Sequence, residues 1–304
     1  MTFLELRQRV AELAGLDRTQ TETDTRVKEW VNQTYQDVSS FYNWPWLVKR
    51  SVIQTLPDIT TGTVAVTNDS TAITFSSAPS ISVQDQFQIQ ITDDTNWYNI
   101  SSHTAASTSA TLDVPYLGTT NGTAGYKLRK VVYSLPSSLD RVMFIRQTDS
   151  DTKLNEIDPV TFFNQIPDPN TTGSARNYYF QGLDTNQNWQ IGLFPIPDAE
   201  INLLVWYFKK ITEMTSDSES PDIPTKFHNI LVFGALSLYG YDFIDDTRLQ
   251  SADRKFAKLL SEMRKMANPG KDSHTILQPW DQRGGSRRGF RLPGNFGHTF
   301  PSHF

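Results

Sequence analysis

The spacing of apolar residues changes twice along the chain, and these changes limit the folds that it can adopt. Residues 2–41 and 224–266 carry apolar side chains at the three- and four-residue spacing of an amphipathic helix. Between them, residues 48–214 consist of short runs rich in Thr, Ser, Val, Ile and aromatic residues, separated by Gly, Pro and Asn-Asp turns. Helices at both ends and strands in the middle predict an α+β protein.

The N-terminal region predicts two helices that form a hairpin. Thr2 and Glu5 have the spacing of a capping box, and Gly15 supplies a stop. A second helix is predicted to begin near Asp24 and must end before Pro45, because proline removes a backbone donor and clashes with the preceding turn.

The C-terminal region predicts two more helices. The first begins at Pro224 and is apolar on nearly all sides, so we expect it to be buried. The second begins with a capping box at Thr247 and Gln250 and ends at Asn268. Because each helical pair alone exposes an apolar stripe, we expect the two pairs to pack together as a helical bundle, with the β region inserted between them.

The middle of the chain predicts a large β-sandwich or β-barrel region with one short helix. Phe87, Ile89 and Ile91 alternate with Gln88 and Gln90, which indicates a strand with one buried face. A short helix is predicted after residue 158. The predicted strands are 63–67, 72–75, 86–91, 98–102, 111–114, 141–147, 177–181, 189–194 and 201–209.

These patterns divide the chain into five segments. The segments are a helical hairpin at 1–47, an inserted β module at 48–132, a second β-rich segment with one short helix at 133–214, the C-terminal helices that complete the bundle at 215–274, and an extended docking tail at 275–304.

Composition excludes several classes of protein. The 304-residue chain has no cysteine, so it cannot contain a disulfide, a thiol nucleophile or a cysteine-ligated zinc ion. Its longest apolar run, at residues 230–238, is far shorter than the ~20 residues that a membrane helix needs. Met1 opens directly on a helical pattern without the features of a secretory signal, so we expect synthesis in a cytoplasm and no membrane partner.

No constellation of residues predicts catalysis, a metal or a cofactor. The five histidines, which are His103, His228, His274, His298 and His303, include no pair at metal-ligand spacing on a predicted helix. The acidic clusters flank helix ends, where capping and solvated turns explain them; they are Asp217, Glu219 and Asp222, and Asp242, Asp245 and Asp246. Gly284-Gly285 lacks the strand-to-helix context of a phosphate loop. We therefore predict a protein that is not an enzyme.

The C-terminal tail differs in charge from the rest of the chain. Residues 275–304 contain four arginines and one aspartate, a charge of 4 − 1 = +3, so the remainder of a chain of net charge −5 carries −8. Five glycines, three prolines and no apolar periodicity leave this segment without an interior of its own, which predicts that it is held by a partner. Its sequence RGGSRRGFR, residues 283–291, suits either nucleic acid or an acidic protein groove, and a merely solvated tail is the third interpretation.

We predict that the tail contacts its partner through basic and aromatic side chains. The candidate docking residues are Trp280, Arg283, Arg287, Arg288, Phe290, Arg291, Phe296, Phe300 and Phe304.

Several stretches resemble a known family. GTVAVTNDSTAITF at residues 62–75, WYNI at 97–100, SATLDVPYLGTTNGTAGYKL at 109–128 and YSLPSSLDR at 133–141 are similar to a β module of phage neck and tail proteins. Three later stretches resemble the segment that follows this module in head-to-tail adaptors of tailed bacteriophages. They are NYYFQGLD at 177–184, IGLFPIPDA at 191–199 and LLVWYFKK at 203–210. A helix pair that ends in FYNWPWL, residues 41–47, also fits that family.

This resemblance implies a structural virion protein made in the host cytoplasm. It would form a ring of twelve copies between the portal protein and the next neck or tail protein, a stopper or nozzle, around the channel through which DNA leaves, with direct contact to that DNA left open. A β-rich tail module that recognises a glycan of the host surface is the alternative, because the chain has seven tryptophans and exposed aromatic rings can stack on sugars.

Overall fold

A computed structural model describes residues 1–150, 152–166 and 168–268. The chain divides into two compact units. Among the described residues, the helical unit comprises Met1–Trp46 and residues 211–268, and the β unit comprises Leu47–Lys210. The protein is α+β, as the sequence predicts. Within the described residues the α-helices are α1 (Phe3–Ala14), α2 (Thr21–Ser40), α3 (Pro159–Gln165), α4 (Asn229–Gly234) and α5 (Asp246–Ala267).

Capping interactions define the first two helices. The Thr2 side chain accepts a hydrogen bond from the Glu5 amide, and the Glu5 carboxylate accepts one from the Thr2 amide, so the predicted capping box is confirmed. Gly15 ends α1 with a φ of 71°, a conformation that favours glycine. At the end of α2, the Trp44 indole nitrogen donates to the Val38 carbonyl at 2.7 Å, which satisfies one of the last carbonyls of the helix.

Helix α4 packs against α1, α2 and α5. Its residues Ile230, Leu231 and Val232 are fully buried, as the apolar sequence predicts. Gly234 lets the helices approach closely, because a Cβ atom there would lie 2.4 Å from Thr34 Cγ2 of α2 and 2.9 Å from the Phe256 ring of α5.

The C-terminal helices differ from prediction at their ends. Pro224 has an extended ψ of 132° and precedes a 3₁₀ turn at Thr225–Phe227, so a continuous helix does not begin there. After α4 the chain continues as a π-helix, Ala235–Tyr239, in which the Gly240 amide bonds to the Ala235 carbonyl.

Helix α5 begins two residues earlier than predicted. Asp245, not Thr247, is its cap, since the Asp245 side chain accepts from the Arg248 amide at 2.8 Å. Only Ala252 and Met263 of the predicted apolar stripe of α5 are buried.

The described residues of the β unit form two curled seven-stranded sheets. Sheet I has the strand order β7-β2-β3-β6-β5-β4-β8, and sheet II has the order β1-β14-β10-β11-β12-β13-β9. The strands are β1 (Val48–Gln54), β2 (Val64–Val66), β3 (Ala72–Phe75), β4 (Phe87–Ile91), β5 (Trp97–His103), β6 (Ser109–Leu112), β7 (Asn121–Ala124), β8 (Tyr126–Lys130), β9 (Val132–Ser134), β10 (Leu139–Gln147), β11 (Lys153–Glu156), β12 (Asn177–Leu183), β13 (Trp189–Phe194) and β14 (Asn202–Lys209).

Sheet I is inserted into sheet II. Strand β1 pairs with β14 along its whole length, and all strands of sheet I lie between β1 and β9 in the sequence. The chain enters and leaves sheet I side by side, because Ile59 and Leu128 exchange two backbone hydrogen bonds of 2.8 and 2.9 Å. Each sheet has its own cluster of buried apolar residues.

The alternation in β4 is confirmed. Phe87, Ile89 and Ile91 are buried in sheet I, so Gln88 and Gln90 lie on its opposite face. Helix α3 also forms as predicted, with Asp158 as its cap and Pro159 in its first turn. It lies against β12.

Candidate functional site

The predicted docking residues of the tail lie outside the residues that the structure describes. These are Trp280, Arg283, Arg287, Arg288, Phe290, Arg291, Phe296, Phe300 and Phe304, and three of the five histidines, His274, His298 and His303, lie there too. The docking role of the tail therefore stays a prediction.

His228 is a buried structural residue, as the sequence predicts. Its Nε2 lies 2.8 Å from the Ile223 carbonyl and must donate, so Nδ1 is left to accept from the nitrogen of Met1 at 2.7 Å. Burial lowers the pKa of His228, and this effect outweighs the hydrogen bonds that favour the charged form.

His103 has the same kind of environment in sheet I. Nδ1 accepts from the Val83 amide at 3.2 Å, and Nε2 lies 3.0 Å from the Ser107 carbonyl, to which it donates. Both ring nitrogens are therefore used in holding loops. Neither described histidine has a free nitrogen for chemistry.

The acidic clusters serve mainly as caps. The loop with Asp217 and Glu219 supplies carbonyls to the first amides of α1, with Phe3 donating to Glu219 at 2.7 Å. The Glu219 carboxylate accepts from the Thr215 amide at 2.6 Å and from the Ser216 amide at 3.1 Å. Within the described ranges, no group of three or more His, Cys, Asp or Glu side chains could hold a metal ion.

A buried arginine joins three segments of the helical unit. The Arg7 guanidinium is nearly inaccessible and donates to both oxygens of Asp24, at 2.9 and 3.1 Å, and to Asp217. Asp24 also binds Arg18 and Lys28. Burial acts to raise the pKa of Asp24, but the hydrogen bonds from Arg18 and Lys28 and the charges of Arg7 and Arg18 outweigh it and hold that pKa below its ordinary value.

The β unit contains a cleft of about 530 Å³. Sheet I supplies one wall, and α3, β12 and the loop that carries Asn170 supply the other. Its floor includes buried apolar side chains such as Ile100 and Leu193, whereas its rim is polar and largely exposed. We call it the β-unit cleft.

A polar ladder crosses four consecutive segments of sheet I at this cleft. Arg129 Nη2 donates to Gln88 Oε1 at 2.8 Å, Gln88 Nε2 donates to Asn99 Oδ1 at 3.0 Å, and Asn99 Nδ2 donates to Asp113 Oδ2 at 2.8 Å. The pairing of β8 with β4 and of β4 with β5 sets these residues opposite one another. Because the guanidinium only donates and the carboxylate only accepts, the orientation of both amides is fixed.

Neutral groups, and not a carboxylate, bind the buried guanidinium of Arg129. Its side chain is 1% exposed, it lies over the Trp97 ring at 3.4 Å, and it also donates to Asn170 Oδ1 at 2.6 Å. No carboxylate in the described part of the chain forms an ion pair with it. Burial therefore lowers the pKa of Arg129 to about 10, although the charges of Asp58 and Asp168 act in the opposite direction.

An aromatic wall faces the ladder. Phe162 is buried and stacks on Tyr179 with ring centroids 4.4 Å apart, whereas Phe163 lines the cleft with 64% of its surface exposed. The cleft thus combines an exposed ring, oriented amides and the carboxylates of Asp85 and Asp113. Such a surface offers a ring for stacking on planar groups and oriented amides and carboxylates for hydrogen bonding.

The sequence did not predict this cleft. The alternation in β4 places Gln88 on the outer face, but Arg129, which binds both Gln88 and Asn170, is far from them in sequence, and only the folded chain brings the three together.

No described helix is long and apolar enough to cross a membrane.

Comparison with known proteins identifies the class as the structural adaptors of phage virions. The model of the family described as SU10 adaptor protein matches residues 110–280, more than half of the 304-residue chain. The chain therefore belongs to the SU10 adaptor protein family, and its resemblance to phage head-to-tail adaptors is confirmed. It is a virion protein that interacts with other virion proteins. No curated protein matches the chain.

Proposed function

We propose that this protein forms a ring, of twelve copies as in the adaptors it resembles, between the portal protein and the next neck or tail protein, a stopper or nozzle. The ring lines the channel through which DNA passes. The protein holds two parts of the virion together, needs no cofactor and catalyses nothing. The observation that carries this proposal is the family match over residues 110–280.

The surface of the helical unit supports assembly. Several large apolar side chains of this unit are exposed, and an interface between copies would cover them. They are Leu13, Phe41, Leu238, Tyr241, Phe243 and Met266. An obligate interface of ~2,000 Å² or more per contact would supply stability to a chain that has no disulfide.

The five sequence segments take separate roles in this proposal. The N- and C-terminal helices form the bundle of the ring body, and the basic tail from residue 275 onward docks on a partner. The +3 charge of the tail against the −8 of the remainder favours an acidic protein surface as the place where it docks.

Mixing the purified protein with the portal protein of the same phage tests this function. We expect a large complex with rotational symmetry in electron microscopy, and twelve adaptor copies per portal by mass measurement. A chain that stays monomeric and does not bind the portal at micromolar concentration would contradict the proposal.

Glycan recognition is the second candidate function, and the β-unit cleft is the observation that favours it. Exposed Phe163 lines the same cleft as Asn99 and Asp113, and together these residues can stack on a sugar and bond its hydroxyls. Binding of a glycan by the isolated monomer, together with no affinity for the portal, would favour this candidate.

A further inference from the structure

We propose that the β-unit cleft binds the arginine-rich segment of the C-terminal tail, residues 283–291, supplied by a second copy of the chain. This inference rests on the proposed function, because it requires copies that stand side by side.

Two carboxylates on the rim of the cleft have no ion-pair partner among the described residues, and Arg129, the cation that lines the same cleft, is buried. Asp85 and Asp113 are exposed on its rim, and each carboxylate is oriented through one oxygen, by Gln84 at 2.9 Å and by Asn99 at 2.8 Å. Neither forms a salt bridge with a Lys or Arg among the residues that the structure describes. Two fixed carboxylates with open oxygens favour a cationic ligand.

The contacts of Arg129 show which groups of this surface bind a guanidinium. It lies on an aromatic ring, Trp97, and donates to the side-chain oxygens of Gln88 and Asn170. The adjoining cleft repeats these components with the rings of Phe163 and Tyr179 and with amide and carboxylate oxygens. A second guanidinium would therefore find a planar ring to stack on and oxygens to accept its hydrogen bonds.

The tail has the matching chemistry. Residues 283–291, RGGSRRGFR, contain four arginines and no acidic residue. Phe290 adds an aromatic ring for the apolar floor, and three glycines keep the backbone narrow enough to enter a cleft. Guanidinium groups bind carboxylates through two parallel hydrogen bonds, which fixes their position as well as adding affinity.

A second copy is the source that fits a ring. A contact between a tail and a cleft joins two different surfaces, and repeating such a contact around an axis closes a ring. A tail that docked on its own copy would not link two copies of the chain. The fifteen residue-to-residue steps from Asn268 to Arg283 can span up to roughly 50 Å at ~3.3 Å per residue, which sets the distance at which the tail can meet a second copy.

Disulfide cross-linking tests the inference, since the chain has no native cysteine. One full-length variant carries Ser101→Cys, on the exposed rim of the cleft, and another carries Ser286→Cys in the tail. The two are mixed in a glutathione redox buffer, and mixed dimers are measured on non-reducing gels. We expect at least tenfold more dimer than with Ser218→Cys, an exposed position in the helical unit.

Charge variants make the test specific. Asp85→Asn combined with Asp113→Asn should reduce the mixed dimer about tenfold, as should 1 M salt, because screening weakens contacts between exposed charges. The matched control Asp140→Asn, which removes an exposed carboxylate of β10, should leave it unchanged. A synthetic peptide of residues 279–292 that carries the Ser286→Cys change should give the same ranking when it replaces the second variant.

Three outcomes would overturn the inference. Tail binding in the cleft would be excluded if positions 101 and 218 gave equal amounts of dimer, or if the aspartate changes had no effect. It would also be excluded if methyl glycosides, but not the peptide, protected the thiol at position 101 from iodoacetamide. A double variant with both cysteines that forms only an intramolecular disulfide would exclude the second copy. If a ring forms on the portal but this cross-link does not, the inference is wrong and the proposed function still holds. If the cross-link forms but no ring does, only the proposed function is contradicted.

Discussion

Single side chains hold the helical unit together where its segments are distant in sequence. Arg7 of α1 binds Asp24 of α2 and Asp217 of the loop that caps α1. A buried guanidinium is costly unless its partners are present, so these carboxylates are structural requirements and not only surface charges.

Asp24→Asn should destabilise the protein by about 3 kcal/mol, because it leaves Arg7 buried beside a neutral partner. Since the folded-state pKa of Asp24 lies below its ordinary value of 3.8, its contribution is present above that value and is lost as the pH falls through the lower folded pKa. Urea unfolding should therefore show a constant difference between wild type and variant from pH 7 to 5, and a smaller one below pH 4. A difference independent of pH down to pH 2 would contradict this explanation.

At the scale of elements, the helices meet at a glycine. Gly234→Ala should destabilise the helical unit, because the steric cost of roughly 1–3 kcal/mol exceeds the helix-propensity gain of about 1 kcal/mol for alanine. Thermal unfolding measures the effect, and Gly122→Ala, at a position where a Cβ meets open space, is the control. Thr34→Ser removes one of the two clashes, that with the Cγ2 methyl group, and should restore part of the stability in the Gly234→Ala background, since the contact with the Phe256 ring is left. A more stable Gly234→Ala variant would show that the helices separate at no cost.

The strands of sheet I depend on the polar ladder. Gln88→Leu should cost about 2–3 kcal/mol, because it removes an acceptor from buried Arg129 and a donor from Asn99. Gln90→Leu, two residues away on the same face, should have little effect, since its amide makes only one long hydrogen bond of 3.4 Å. Denaturant midpoints compare the two variants, and equal losses would argue against the ladder.

The elements that could be predicted are those with local causes. Helix α1 carries its own cap and stop, and β3 and β13 are bounded by their own turns, so their sequences suffice. Strand β7, Asn121–Ala124, contains glycine and polar residues and forms only because β2 lies beside it. The cleft was missed for the same reason, since its polar groups come from strands that are neighbours in space and not in sequence.

At the scale of the whole molecule, we expect the tail to be separable from the fold. A chain truncated before Thr275 keeps every residue that the structure shows as buried, and it should unfold at the same denaturant concentration as the full chain. It should nevertheless fail to dock stably in the virion neck. Circular dichroism and a portal-binding assay provide the two measurements, and unchanged affinity of the truncated chain would refute the docking role.

The charge of the tail can be tested without shortening it. Replacing Arg287, Arg288 and Arg291 by Gln should weaken docking and reduce its dependence on salt concentration, because fewer ion pairs are left to be screened. Binding measured between 50 and 500 mM NaCl should fall less steeply for the variant than for the wild type. Parallel curves would show that the aromatic residues alone anchor the tail.

The two backbone hydrogen bonds between Ile59 and Leu128 hold the two ends of sheet I together, so the whole sheet can be replaced as one insertion. Since its two ends leave sheet II together, a short turn in place of the intervening residues would let β1 and β14 remain paired. Related adaptors could thus gain, lose or exchange this sheet, and with it the chemistry of the surface they present, without redesigning the remainder of the subunit.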